Sequence, residues 1–147
     1  MPREPNLIII ADDDPDDGLF LLTALLSMPL ELTIITVPSG DKLMNILESV
    51  SPQFIFLDIN MHKKNGFEAL KHIRSMKSSD QPTVIMCSTS SSPHDIRKSQ
   101  ELGADMYVTK PNSIQNYNRV IEGIFQMDWS SKANERIPAK LLLSHLQ

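Results

Sequence analysis

Phe54-Ile-Phe-Leu-Asp58-Ile-Asn-Met-His-Lys-Lys-Asn-Gly66 is the stretch from which the rest of the chain can be read. A short apolar run, Phe54 to Leu57, stops at a carboxylate, Asp58. A polar loop then leads to a glycine before helical spacing resumes at Phe67. This pattern predicts a buried strand that delivers an acid to its C-terminal end. In an open parallel α/β sheet, ligands bind in the crevice beyond the strand C-termini, so an acid placed there is a site candidate. Three other strand-like runs finish on residues of matching chemistry: Asp12 and Asp13 after the first, Ser88 after the fourth and Lys110 after the fifth.

Working outward, Leu7 to Ala11 is an apolar strand, and five of the next six residues are carboxylates, Asp12-Asp-Asp-Pro-Asp-Asp17. Asp14 before Pro15 fits an N-cap followed by the first helical position. Asp16 and Asp17 then fall in a first turn, where the helix dipole favours negative charge. Asp12 and Asp13 precede the cap, and two adjacent acids there repel each other unless a cation or hydrogen bonds offset the repulsion. A hard divalent ion is the natural partner. The following helix is expected to bury Leu19, Leu22 and Leu26 and to end before Pro29.

Leu32 to Val37 reads as the second strand, broken by Pro38-Ser39-Gly40, and Leu43, Ile46, Leu47 and Val50 form the stripe of the next helix. The helix after Gly66 carries Phe67, Leu70 and Ile73. Thr83 to Cys87 is the fourth strand, and Pro93 opens a fourth helix whose apolar stripe is thin, Ile96 and Leu102 only, which implies low local stability. Gly103 closes that helix, and Met106 to Thr109 form the fifth strand. The last helix has Ile114, Tyr117, Ile121 and Ile124 on one face, widened by Val120 and Phe125. Five strands alternating with five helices predict an α/β fold: a doubly wound, five-stranded parallel sheet with helices on both faces, flavodoxin-like.

The chain has 147 residues and a formal net charge of -4, with 41% apolar residues. That is one domain with one substantial core, and no basic field for nucleic acid or an anionic membrane. The single cysteine, Cys87, excludes an internal disulfide and lies in an apolar run, where an inert thiol is expected. No early apolar run is long enough for a signal sequence or a membrane span, and a cytoplasmic location is expected. His62, His72 and His94 show no metal-ligand spacing and read as surface residues, and Met61 reads as loop packing.

Over about residues 6 to 126 these residues resemble the receiver domain of two-component response regulators. Asp12-Asp13, Asp58, Ser88 and Lys110-Pro111 match that family's acceptor set in order. Asp58 to Gly66 is similar to its Asp-x-x-Met-Pro-x-x-x-Gly signature, with Met61 and Gly66 in place and His62 where proline is usual. The resemblance implies a receiver domain over residues 1–128 and a C-terminal extension, 129–147, without a domain of its own. It implies that Asp58 accepts a phosphoryl group from a histidine kinase or histidine phosphotransfer protein. Mg²⁺ would be held by Asp12 (through water), Asp13, Asp58 and the backbone carbonyl of Asn60. Lys110 and Ser88 would hold phosphoryl oxygens, and Ser88 and Tyr107 would form the switch, with Tyr107 turning inward on activation. Asn60 and Ser90 occupy positions that modulate lifetime in the family. Output would pass to protein partners through the face made by the fourth helix, fifth strand and fifth helix, and a homodimer is compatible with that face. No turnover of an external substrate is expected beyond the chain's own phosphorylation and dephosphorylation. A competing reading is a small phosphatase of the haloacid dehalogenase class with Asp12 as nucleophile, since Asp12-Asp13-Asp14 also follows a strand as Asp-x-Asp. The later acidic pair of that class is missing after Lys110.

Overall fold

In the computed structural model, residues 4–77 and 80–127 are described. The expected polar link 130–136 and the apolar tail positions Leu141 to Leu143 and Leu146 lie outside the described residues. Five strands and five helices alternate: β1 (Glu4–Ala11), α1 (Pro15–Leu26), β2 (Thr33–Val37), α2 (Gly40–Leu47), β3 (Pro52–Asp58), α3 (Gly66–Ser75), β4 (Thr83–Ser88), α4 (Pro93–Glu101), β5 (Met106–Thr109) and α5 (Ile114–Phe125). The strands form one parallel sheet in the order β2-β1-β3-β4-β5. The chain reverses its direction of travel across the sheet between β1 and β3, and their C-terminal ends flank the crevice where such sheets bind ligands.

The two-residue period of the strands divides the core. Ile9, Ala11, Ile55, Leu57, Val84, Met86 and Tyr107 face one layer with α2, α3 and Ile96 of α4. Ile8, Ile10, Phe54, Phe56, Ile85, Met106 and Val108 face the other, with α1 and α5. Because the central strands are buried on both sides, they read as continuous apolar runs rather than as alternation. Cutting Leu70 or Ile73, each almost fully buried, back to alanine belongs to the class of core truncations that cost ~2–5 kcal/mol.

Each helix begins where the sequence supplies a cap. Asp14 accepts from the Asp16 and Asp17 N–H groups, and Ser39, Asn65, Ser92 and Ser113 each take an N–H of their own helix. Asn65 and Glu68 form a reciprocal capping box. Gly66 is required by proximity: a Cβ there would lie 2.3 Å from the Asp58 carbonyl oxygen. The loop that carries the acid therefore folds directly back onto its own strand end.

α1 corrects one expectation. It buries Leu21, Ala24 and Leu25, whereas Leu19 and Leu26 are exposed and Leu22 is half-buried. The segment has apolar residues at positions 19 to 22 and 24 to 26, so its own pattern selects no face. The sheet decides instead. β2 is the edge strand, and the outer flank of α1 overhangs it, with Leu19 and Leu22 lining an open groove of about 290 Å³ beside Thr36 to Pro38.

Candidate functional site

The in-register pairing of β1 with β3 sets Ala11 opposite Leu57, and that of β3 with β4 sets Asp58 opposite Cys87. Asp12 and Asp13, Asp58, and Ser88 therefore emerge at one level on three adjacent strands. The Lys110 N–H donates to the Ser88 carbonyl at 2.7 Å, which brings the end of β5 to the same edge. One oxygen from each of Asp12, Asp13 and Asp58 lies within 4.8 Å of the others. At that separation two ionised carboxylates repel by roughly 3 kcal/mol at an effective dielectric of ~20.

Lys110 is the counter-charge, and its side chain is only 7% exposed. Its Nζ lies 3.0 Å from Asp12 Oδ2, 3.0 Å from Asp17 Oδ2 and 3.4 Å from Asp58 Oδ2. Burial alone would lower the Lys110 pKa, but the hydrogen bond to Asp17 and the charges of Asp58 and Asp12 outweigh it and hold the ammonium above its ordinary range. For Asp58 burial prevails. Burial pushes it up to about 7; Lys110 and the Asn60 N–H pull against that, and the neighbouring Asp12 adds to it. One ammonium among four carboxylates leaves the cluster short of positive charge.

The backbone fixes the remaining oxygens. The Asp14 N–H donates to Asp12 Oδ1 at 2.9 Å, the Asn60 N–H to Asp58 Oδ1 at 3.3 Å, and the His62 N–H to Asp13 Oδ2 at 3.3 Å. His62 is a surface residue as expected, with its ring 3.8 Å from Asp13 Oδ2. His72 pairs with Lys64 on the surface, and Met61 packs in the core beneath the loop. Cys87 is pushed up to about 12 by burial, so its thiol stays protonated, as the inert reading requires.

Ser88 is fully buried and its Oγ accepts the Ser90 N–H at 3.0 Å. Tyr107 is turned inward, 1% exposed, and its hydroxyl donates to the Ser90 carbonyl at 2.6 Å. A buried phenol needs a partner, and that carbonyl supplies one without any modification at the acids.

Sequence reasoning missed Asp17 as a member of the site, because a first-turn acid is adequately explained by the helix terminus. Its place at the third helical position was the available signal. A side chain there turns back over the cap, toward the strand ends.

The same geometry can be set against known proteins. A family model described as the response regulator receiver domain matches residues 8–122. The chain belongs to the response regulator receiver family. It is 26% identical over 127 residues to the response regulator Rcp1 of Synechocystis sp., covering 82% of this chain and 86% of that protein. It is 31% identical over 121 residues to protein RcaC of Microchaete diplosiphon, covering 82% of this chain but only 18% of RcaC. Among solved structures, the phosphorylated cyanobacterial phytochrome response regulator RcpA superposes with a TM-score of 0.77 at 27% identity, covering 86% of this chain and 95% of that one. In this receiver no helix of the described residues is long and apolar enough to cross a membrane. Asp14, the second acid of the Asp-x-Asp pattern, is committed to capping α1, and the Asp12 carboxylate is engaged by Lys110 and the Asp14 N–H.

Proposed function

We propose that this receiver is a phosphoaccepting switch in which Asp58 takes a phosphoryl group from a histidine kinase or histidine phosphotransfer protein. The supporting observation is the half-neutralised cluster: a buried, strand-end carboxylate with a lysine on one oxygen and two further acids within 4.8 Å. Phosphoryl transfer depends on positioning and on neutralising charge, so a carboxylate nucleophile needs cations at this place. The all-oxygen donor set and the surplus of negative charge fit Mg²⁺, with Asp13, Asp58 and the Asn60 carbonyl as direct ligands and Asp12 acting through water. When bound, the ion supplies charge neutralisation for the acceptor and the phosphoryl oxygens. Lys110 holds a phosphoryl oxygen as a point charge, and the Ser88 hydroxyl, which accepts from Ser90, can donate its own hydrogen to another. The similarity to RcpA, described as phosphorylated, supports the same chemistry.

Residues 1–128 form the receiver unit in this reading, and 129–147 are an extension of it. The receiver promotes only its own phosphorylation and dephosphorylation, and it signals from the cytoplasm through protein contacts on the α4, β5 and α5 face.

The metal assignment is checked by comparing two acids. Asp13→Asn is expected to weaken Mg²⁺ binding about 10-fold or more and to slow labelling by acetyl phosphate. Asp16→Asn, on the first turn of α1, is expected to do neither. Equal losses in an isothermal titration would mean that the ligands are misassigned.

The output route is checked by hydrogen exchange over residues 88–112, with and without Mg²⁺ and beryllofluoride. α4 buries only Ile96 and Ser99, the latter bonded to its own helix, so this face has little holding it. Wild type should change protection there on binding, since a new acceptor draws Ser88 away from Ser90, on whose carbonyl Tyr107 rests. Ser88→Ala should still bind the analogue but lose most of the change, and Tyr107→Phe should lose the link to Ser90 without opening a cavity. The same response in all three proteins would place the route elsewhere.

A further inference from the structure

Among the described residues Lys110 has three carboxylate partners, and in the proposed function two of them, Asp12 and Asp58, belong to the metal. Asp17 does not: among the described residues the set of mutually close acids consists of Asp12, Asp13 and Asp58. Yet Asp17 Oδ2 is as near to the ammonium, 3.0 Å, as Asp12 is, and the contact spans 93 residues of sequence. Asp17 sits in the first turn of α1, fixed by the Asp14 cap, and its side chain is 29% exposed against 7% for Lys110. It is therefore a carboxylate on a rigid helix end, aimed at the site from outside the metal cluster.

A divalent ion and the Lys110 ammonium would draw on the same two carboxylates, Asp12 and Asp58. With a cation held at Asp12, Asp13 and Asp58, the ammonium would share its partners at 3.0 and 3.4 Å with a second positive charge, in a site that gives it little water. We infer that Asp17 is the positioning residue for Lys110. It retains the ammonium at the acceptor when the metal is bound, so that Lys110 meets the incoming phosphoryl oxygen instead of swinging out to solvent. Asp16 lies in the same turn and carries the same charge. Lys110 Nζ makes its ion pairs with Asp12, Asp17 and Asp58, and Asp16 is not among them. The pair thus separates positioning from the general benefit of acids at a helix N-terminus.

The inference rests on the proposed phosphoacceptor role, and the experiment distinguishes the two. Label on Asp58 of the wild type tests that role, while comparison among variants tests this one. Full chain is labelled with acetyl phosphate at saturating Mg²⁺, with magnesium occupancy of every variant verified by titration. Asp17→Asn is expected to lower the labelling rate by about tenfold, Asp16→Asn to stay within about twofold of wild type, and Asp17→Glu to recover most of the loss. In a Lys110→Ala background, adding Asp17→Asn should cost nothing further, since residues acting through one contact are not additive. The inference is overturned by a wild-type rate in Asp17→Asn, by an equal loss in Asp16→Asn, or by a full extra loss on top of Lys110→Ala.

Discussion

Asp58→Asn should take no phosphoryl label from any donor and should nevertheless be more stable than wild type in metal-free buffer at neutral pH. The first half follows because the amide keeps the shape of the carboxylate but cannot act as the nucleophile. The second follows from the direction of the Asp58 shift. Burial raises its folded pKa to about 7 from 3.8, so between those values the folded protein holds a proton that the unfolded chain releases. Stability from this group is fully present below the unfolded value and is lost as pH rises through about 7. In wild type with chelator, melting temperature should therefore fall across that window. In Asp58→Asn this component is absent, and the difference between the two proteins should grow toward neutral pH, to as much as ~4 kcal/mol. Saturating Mg²⁺ should shrink the difference, because a bound cation favours the ionised acid. Thermal melts at several pH values, with chelator and with Mg²⁺, measure each part. A difference that does not change with pH would show that Asp58 is not held against ionisation.

Lys110→Ala is expected to have the largest cost of any single change at the site. It strips Asp12, Asp17 and Asp58 of a shared, almost fully buried ammonium, and removing one partner of a buried ion pair costs about 3–5 kcal/mol. For a domain with ordinary stability of roughly 5–15 kcal/mol, that brings the metal-free variant near its unfolding limit. The pH dependence has a definite sign. The folded pKa of Lys110 is raised, so its contribution is fully present below its ordinary value and is lost only as pH rises through the folded one. On the acid side the deficit of the variant should narrow as Asp58, pushed up to about 7 by burial, takes up its proton. Mg²⁺ should rescue part of the loss near neutrality by supplying replacement charge. Urea titration with and without Mg²⁺ gives both numbers. A metal-free variant as stable as wild type at neutral pH would contradict the picture of an under-neutralised cluster.

What the sequence could and could not reveal follows from how local each feature is. The five strands and their end residues were legible because central strands of a doubly wound sheet are apolar throughout and stop abruptly at polar chemistry. Ala11-Asp12 and Leu57-Asp58 are such boundaries. The buried face of α1 was not legible, because the helix is apolar on nearly every side and only the sheet it lands on separates Leu21 and Leu25 from Leu19 and Leu26. The orientation of Tyr107 depends on a carbonyl 17 residues away, at Ser90, and no spacing rule reports that. Asp17 was hidden behind an adequate local explanation. Its contact with Lys110 appears only once α1 and β5 are both in place.

In the proposed function Asp58 is the acceptor and its reactivity depends on a cation in the acidic cluster. The most direct test is intact-mass analysis after incubation with acetyl phosphate, followed by mapping of the modified peptide, in Mg²⁺ and in chelator. The expected result is the mass of one phosphoryl group, carried by Asp58, formed with Mg²⁺ and suppressed by chelator. A phosphoryl group on Asp12, or labelling that proceeds equally well without the metal, would contradict it.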